Sequence, residues 1–383
     1  MAYEESCIAR VSVCDSFRIH LLSFVIGVWV VFKRFARWAW DPNTFFSLRV
    51  RDNPPACLVD STLGRHSYVK LKGAKLHYVE AGNKNQPLLL FLHGFPDCWL
   101  SWRNQIISFA EHFHVIALDM KGFGDSDKPL RRRNYRVDIL LEELRQFIAA
   151  QGVTSCILVG HDLGALLGWY FVHQFPELIE KFVAVSCTHP NLYWDNLSGQ
   201  SNFNSWWMSF IQLPYLPEMD ALREDVRIIT DCYKHLQPKD SKDALAVIEA
   251  YKYSFSRTED WTGPINYFRN LPFQKICDNS AQITVPTLLV TGNRDHFVKL
   301  EGAGHFPHQE SPEMFNRILL NYLHIGQSPP KTPDKTLSKG IMNRMFGAVS
   351  STVKYGNSVL DSVQKRTNGV VSIPSRALNL NSS

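Results

Sequence analysis

The first sustained pattern along the chain is an uncharged apolar run from Leu21 to Phe32, followed at once by Lys33, Arg34 and Arg37. Twelve residues of helix reach about 18 Å, short of the roughly 30 Å of bilayer hydrocarbon. The run therefore spans a bilayer only if Ile19, His20 and the flanking aromatics extend it while the basic side chains snorkel. A cleaved signal peptide is disfavoured, because the charges follow the apolar stretch and no small-x-small site comes after it. We read an uncleaved anchor, with a buried helix of the globular part as the alternative. The Lys and Arg excess on its C-terminal side keeps the main domain cytosolic, with the endoplasmic reticulum as the expected membrane.

From about Ser67 the period changes. Val69 to Lys72 and Leu76 to Glu80, joined at Gly73, predict an antiparallel hairpin. Short β-rich runs follow at Pro87 to Leu92, Val115 to Leu118, Cys156 to Val159, Phe182 to Val185 and Pro286 to Val290, mostly separated by helical patterns. That alternation predicts an α/β domain: a mostly parallel sheet with helices on both faces. Between Asn191 and about Ser280 strand signals stop and aromatic, helix-prone sequence takes over, as expected of a helical lid inserted after the sixth strand. Past Ile325 the chain is rich in Ser, Pro, Lys and Asn. Within that stretch, Leu337, Ile341, Met345, Val349 and Val353 recur every fourth residue, with Met342 and Phe346 beside them. They outline an amphipathic helix that could lie on a membrane or pack on its own domain. The expected organisation is an anchor with a basic flank (1–50), a first core part (51–190), the lid (191–280), a second core part (281–325) and a polar tail (326–383).

Composition narrows the partners. With 383 residues and 45% hydrophobic content the chain can build one large domain. The net charge of +5 is dispersed, with no basic run interleaved with aromatics, so nucleic acid is not an expected partner. The eight cysteines lack CxxC spacing, which points to free thiols in a reducing compartment and to no metal site. No feature of the sequence names a protein partner.

The chemistry is concentrated at Gly160-His161-Asp162-Leu163-Gly164, between the apolar run ending at Val159 and a helical Ala165 to Phe171. This strand, sharp turn and helix form a nucleophile elbow with a carboxylate where serine more often stands. A carboxylate nucleophile suits attack on a saturated carbon, opening an epoxide or displacing a halide to leave an alkyl ester. His93-Gly94-Phe95-Pro96 follows an earlier strand and can aim the Phe95 N–H, with that of Leu163, at one oxyanion. Farther on, Asp295 closes the strand from Pro286, and Gly304-His305-Phe306 supplies an imidazole. Nucleophile, acid and histidine come in α/β-hydrolase order, with Asp295 orienting His305 and His305 deprotonating a water.

Taken together, His93-Gly94-Phe95-Pro96, the segment Asp119 to Pro129, Gly160-His161-Asp162 and Gly292-Asn293-Arg294-Asp295 resemble the epoxide hydrolases of the α/β-hydrolase superfamily. Pro54-Pro55-Ala56-Cys57-Leu58 and the N-terminal apolar segment resemble the membrane-anchored animal branch. The resemblance covers about residues 50 to 325. It implies an α/β-hydrolase fold and hydrolysis of apolar or lipid-like epoxides to diols through an ester on Asp162. It also implies no metal or organic cofactor, a pocket touched by His93 and Pro96, and two lid tyrosines that protonate the leaving oxygen.

This chain departs from that pattern in three places. Leu163 stands where the group usually has Trp. The lid tyrosine positions align with Trp207 and Phe268, which become pocket residues, while Tyr267, one place away, is the remaining candidate acid. Val298 to Glu301 reads as the last strand, with only Thr291 to Phe297 before it. A parallel neighbour needs a crossover of a dozen or more residues, so the crossover helix is missing, as a splice form or an incomplete gene model would leave it. Two further readings stay open: a haloalkane-type dehalogenase, with Trp206 and Trp207 holding halide, and a non-catalytic membrane-tethered protein that keeps only the pocket.

Overall fold

A computed structural model describes residues 8–45, 47–195, 206–234, 242–277, 283–292 and 304–323. Its strands are β1 (Ile8–Arg10), β2 (Arg65–Lys70), β3 (Lys75–Ala81), β4 (Leu88–Leu92), β5 (His114–Leu118), β6 (Cys156–His161), β7 (Ile179–Val185), β8 (Gln274–Ile276) and β9 (Thr287–Val290). Seven of them form one sheet in the order β2-β3-β5-β4-β6-β7-β9. β2, β3 and β5 pair antiparallel, and the remaining neighbours are parallel. The opening hairpin and the parallel core are thus as expected. Every residue of β4, β5 and β6 is buried, as central strands covered on both faces require. The edge strand β2 instead mixes exposed and half-buried positions.

The helices used below are α1 (Val13–Trp40), α2 (Arg103–Phe109), α3 (Val137–Ala150), α4 (Leu163–Gln174), α5 (Trp206–Phe210), α6 (Leu216–Ala221), α7 (Arg223–Cys232), α8 (Lys242–Ser254), α9 (Glu259–Phe268) and α10 (Pro312–Leu323). α3 buries Val137, Leu140, Leu141, Leu144 and Ile148, one stripe at helical spacing. α4 is apolar nearly all round and buried along most of its length. The lid, α5 to α9, follows β7, the sixth strand of the main sheet.

α1 is longer than its apolar run predicts: 28 residues, or about 42 Å. Ser12 caps it, accepting the Asp15 N–H at 3.0 Å, and the charged residues on both flanks are good helix formers that hydropathy alone leaves out. Among the described residues it is the one helix long and apolar enough to cross a membrane. The strand expected at Val298 to Glu301, the crossover question and the tail helix at Leu337 to Val353 lie outside the described residues.

Candidate active site

The elbow is built by close approach. A Cβ at Gly160 would meet the Ala165 nitrogen at 2.6 Å, and one at Gly164 would meet the Leu92 carbonyl oxygen at 2.5 Å. β6 can therefore turn directly into α4 against β4 only with glycine at both places. Between them Asp162 takes φ 45°, ψ −110°, a left-handed conformation that costs an aspartate about 1–3 kcal/mol. Strain of this kind at a residue whose side chain stands clear of strand and helix is a mark of function.

The Phe95 N–H donates to Asp162 Oδ2 at 3.1 Å, and the Leu163 N–H is directed at the same carboxylate. On the other side, His305 Nε2 stands 3.7 Å from Asp162 Oδ1. That separation exceeds a hydrogen bond and leaves Oδ1 open to an incoming carbon. Burial pushes the Asp162 carboxyl up, but the neighbouring imidazoles of His305 and His161, with the Leu163 N–H, outweigh it and hold it below the ordinary range. It is ionised at neutral pH, as a nucleophile must be. The fold thus brings Asp162, His305, Phe95 and Leu163 together. Asp295, the expected orienting acid, lies outside the described residues.

His93 is placed differently from the expected pocket contact. It is fully buried, with Nδ1 2.8 Å from the Gly94 carbonyl oxygen and Nε2 accepting the Met120 N–H at 3.2 Å. One neutral tautomer, with the proton on Nδ1, satisfies both, and burial keeps the ring neutral. Its two nitrogens thereby tie the loop at Gly94 to the one at Met120. Pro96 is buried too, and its carbonyl accepts the hydroxyl of the lid residue Tyr233 at 2.8 Å. Asp119, from the segment shared with the family pattern, accepts the Trp99 and Asp125 N–H groups and pairs with His77 at 2.7 Å, bracing the same loops.

In the lid, the rings of Trp207 and Phe268 lie 5.4 Å and 5.2 Å from that of Phe95 and 5.4 Å from each other. They roof the loop whose Phe95 N–H meets Asp162. Tyr267 is turned away, packing between Phe123 at 5.7 Å and Tyr135 at 5.3 Å, and is buried. The catalytic role expected of Tyr267 is therefore not supported: neighbours on a helix diverge by about 100°, and α9 keeps a regular path through this point, so Phe268 takes the site-facing direction.

Sequence reasoning passed over a buried cluster beside Asp162. Ligand-type atoms of Asp97, His161 and His308 lie within 4.8 Å of one another. Asp97 follows Pro96 and His161 precedes Asp162, while His308 lies three residues after His305, and that proximity to the motifs was the available signal. Burial raises Asp97 to about 7, against the opposing influence of the Cys98 N–H, Tyr251, Arg103 and Ser101. A carboxyl with a raised folded-state value binds its proton more tightly folded than unfolded, so the contribution of Asp97 to stability is fully present below about pH 4 and is lost as pH rises towards 7. Asp97→Asn is expected to flatten that decline and to stabilise the protein at pH 8 by up to about 4 kcal/mol. Denaturation midpoints of both proteins at pH 5 and pH 8 check it, an unchanged slope counting against it.

The profile of the alpha/beta hydrolase fold matches residues 87–329. The chain is 37% identical over 307 residues to epoxide hydrolase 3 of Mus musculus, covering 72% of this chain and 83% of that protein. It is 32% identical to epoxide hydrolase 4 of Homo sapiens over 309 residues, 74% of this chain and 85% of the relative. Among solved structures, an inhibitor complex of Bacillus megaterium epoxide hydrolase superposes with a TM-score of 0.56 at 28% identity, over 67% of this chain and 99% of that one. Epoxide hydrolase A from Mycobacterium thermoresistibile gives 0.54 at 25% identity, over 68% and 98%.

Proposed function

Since the chain belongs to the epoxide hydrolase family of the α/β-hydrolase fold, we propose that it converts apolar, lipid-like epoxides to diols through an alkyl ester on Asp162. The observation that carries this is the division of labour at one carboxylate. Oδ2 is held by the Phe95 N–H at 3.1 Å, while Oδ1 faces the site with His305 at 3.7 Å. Oδ1 attacks an epoxide carbon, the ring C–O bond breaks, and the released alkoxide takes a proton from water, leaving hydroxide to solvent. His305 then removes a proton from water, and the hydroxide adds to the ester carbon. Negative charge collects on Oδ2, where the Phe95 and Leu163 N–H groups stabilise it. Collapse breaks the Cγ–Oδ1 bond, Oδ1 leaves with the diol and takes its proton from His305, and the oxygen from water becomes the new carboxyl oxygen of Asp162, which ionises to solvent. Neither a metal nor an organic cofactor enters these steps.

The pocket roof of Trp207, Phe268 and Phe95 suits an apolar substrate, and α1 supports attachment to a membrane, with the domain on the cytosolic side of the endoplasmic reticulum. With Phe268 in place of a phenol, Trp207 is left to offer an indole N–H from that roof, a group that can polarise the epoxide oxygen but cannot give up its proton. Ring opening is accordingly the slow step. Phe268→Tyr supplies a donor from the same direction and is expected to raise diol formation about tenfold or more. The assay is diol release from a long-chain epoxide, with a haloalkane run beside it. Unchanged turnover would place the proton source elsewhere, and halide release without diol would overturn the epoxide reading.

A further inference from the structure

α1 does not stand apart from the enzyme. Only one stripe of it is buried, Ser23, Gly27 and Val30, and that stripe rests on the lid beside α5, the short helix that carries Trp207. The fit is tight at Gly27, where a Cβ would come within 2.3 Å of Leu213 Cδ1. Nearer the N-terminus, His20 stacks on Phe273 at 5.7 Å, and β1 pairs with β8 just beyond the lid. Towards the other end, Arg34 pairs with Asp220 at 2.6 Å and Arg37 with Glu224 at 2.8 Å.

The partners of this arm are strained. Glu224, Asp225 and Val226 have φ of 52°, 54° and 56°, three consecutive left-handed residues costing about 1–2 kcal/mol each. The segment after α1 holds them. The Arg49 N–H donates to Asp225 Oδ1 at 3.0 Å, the Asp225 N–H to the Ser47 carbonyl at 2.6 Å, and Arg51 pairs with Asp225 at 2.7 Å. The shape of the lid therefore depends on the arm that leaves the anchor.

Away from the buried stripe, α1 exposes Phe17, Leu21, Phe24, Val28, Phe32 and Phe35. Beside the seam the lid itself exposes Tyr215 at 79% and Met219 at 64%, between Leu213 and Asp220, which both touch α1. A water-facing enzyme surface has no use for two such apolar groups next to a helix of this composition.

We propose that the outer side of α1 and the lid residues Tyr215, Leu216 and Met219 form one lipid-contact face, so that epoxides dissolved in the bilayer enter beneath Trp207 and Phe268 without crossing water. This rests on the epoxide hydrolase reading and adds the route by which substrate arrives. The occupant is a lipid bilayer: the length and apolarity of α1 exceed what a protein groove requires, and Lys33, exposed on the same helix, is placed for anionic headgroups.

The test uses the full chain in phosphatidylcholine vesicles, comparing a short water-soluble epoxide with a long-chain epoxide carried in the lipid. The variant Tyr215→Ser/Met219→Ser is expected to lower kcat/KM about tenfold or more for the lipid-borne epoxide, with soluble turnover kept within about twofold. A fluorophore attached through Met219→Cys is expected to be quenched by brominated lipid. Equal losses on both substrates, or no loss on either, overturn the proposal, as does an unquenched probe. Failure of the unaltered chain on both substrates sinks the epoxide reading itself, whereas intact soluble turnover with an unquenched probe sinks only the membrane face.

Discussion

Asp162→Ala is expected to reduce diol formation by about 10⁴-fold or more, with no compensating change in the affinity for substrate. On the proposed mechanism the carboxylate supplies the bond to carbon, with its Oδ2 accepting the Phe95 N–H at 3.1 Å. The substitution removes an ionised group towards which Phe95 and Leu163 aim their N–H groups but leaves the left-handed backbone at position 162 in place, so the overall fold is expected to persist, with an unchanged circular dichroism spectrum. Initial rates with a long-chain epoxide, followed by chromatography of the diol, provide the measurement. Turnover at a rate near that of the unaltered protein would mean that water attacks the epoxide directly and that the elbow serves another purpose.

His305→Gln separates the two halves of the reaction. Ring opening needs Oδ1 and an open approach, both of which survive. Hydrolysis needs a base 3.7 Å away, which glutamine cannot be. The variant is expected to consume about one equivalent of epoxide per chain and then stall, with steady turnover lowered about 10²- to 10⁴-fold. Intact-protein mass spectrometry should find the chain heavier by the mass of the epoxide, the added mass mapping to the peptide that contains Asp162. Steady diol release without an ester would assign water activation to a different group, with His161 and His308 nearest to hand.

What the sequence made legible was whatever rests on local pattern. Buried runs became β4, β5 and β6, and the elbow formed where strand, Gly-x-Asp-x-Gly and helix followed in order, because glycine at 160 and 164 is a steric demand that short spacing records. The oxyanion loop was readable for the same reason. Direction within the lid was harder. Tyr267 and Phe268 are equally aromatic, and only the packing of α9 on Phe123 and Tyr135 decides which one faces Phe95. The role of His93 was misjudged because a histidine in a motif says nothing of which backbone groups will use both its nitrogens. The grip of α1 on the lid was invisible, since its contacts join residues nearly two hundred positions apart, such as Arg34 and Asp220 with a separation of 186. Hydropathy had treated that helix as a passive tether.

That separation also orders events during synthesis. The helix from Val13 to Trp40 leaves the ribosome long before Asp220, Glu224 and the strand at Gln274 that receive it. At 5–20 residues per second, the interval is roughly ten to forty seconds, during which the exposed row of phenylalanine and valine side chains has no lid to pack on. On the proposed reading the bilayer is the host that meets it first: the helix enters lipid, the lid then closes onto it, and the enzyme faces its substrate phase before its active site is assembled.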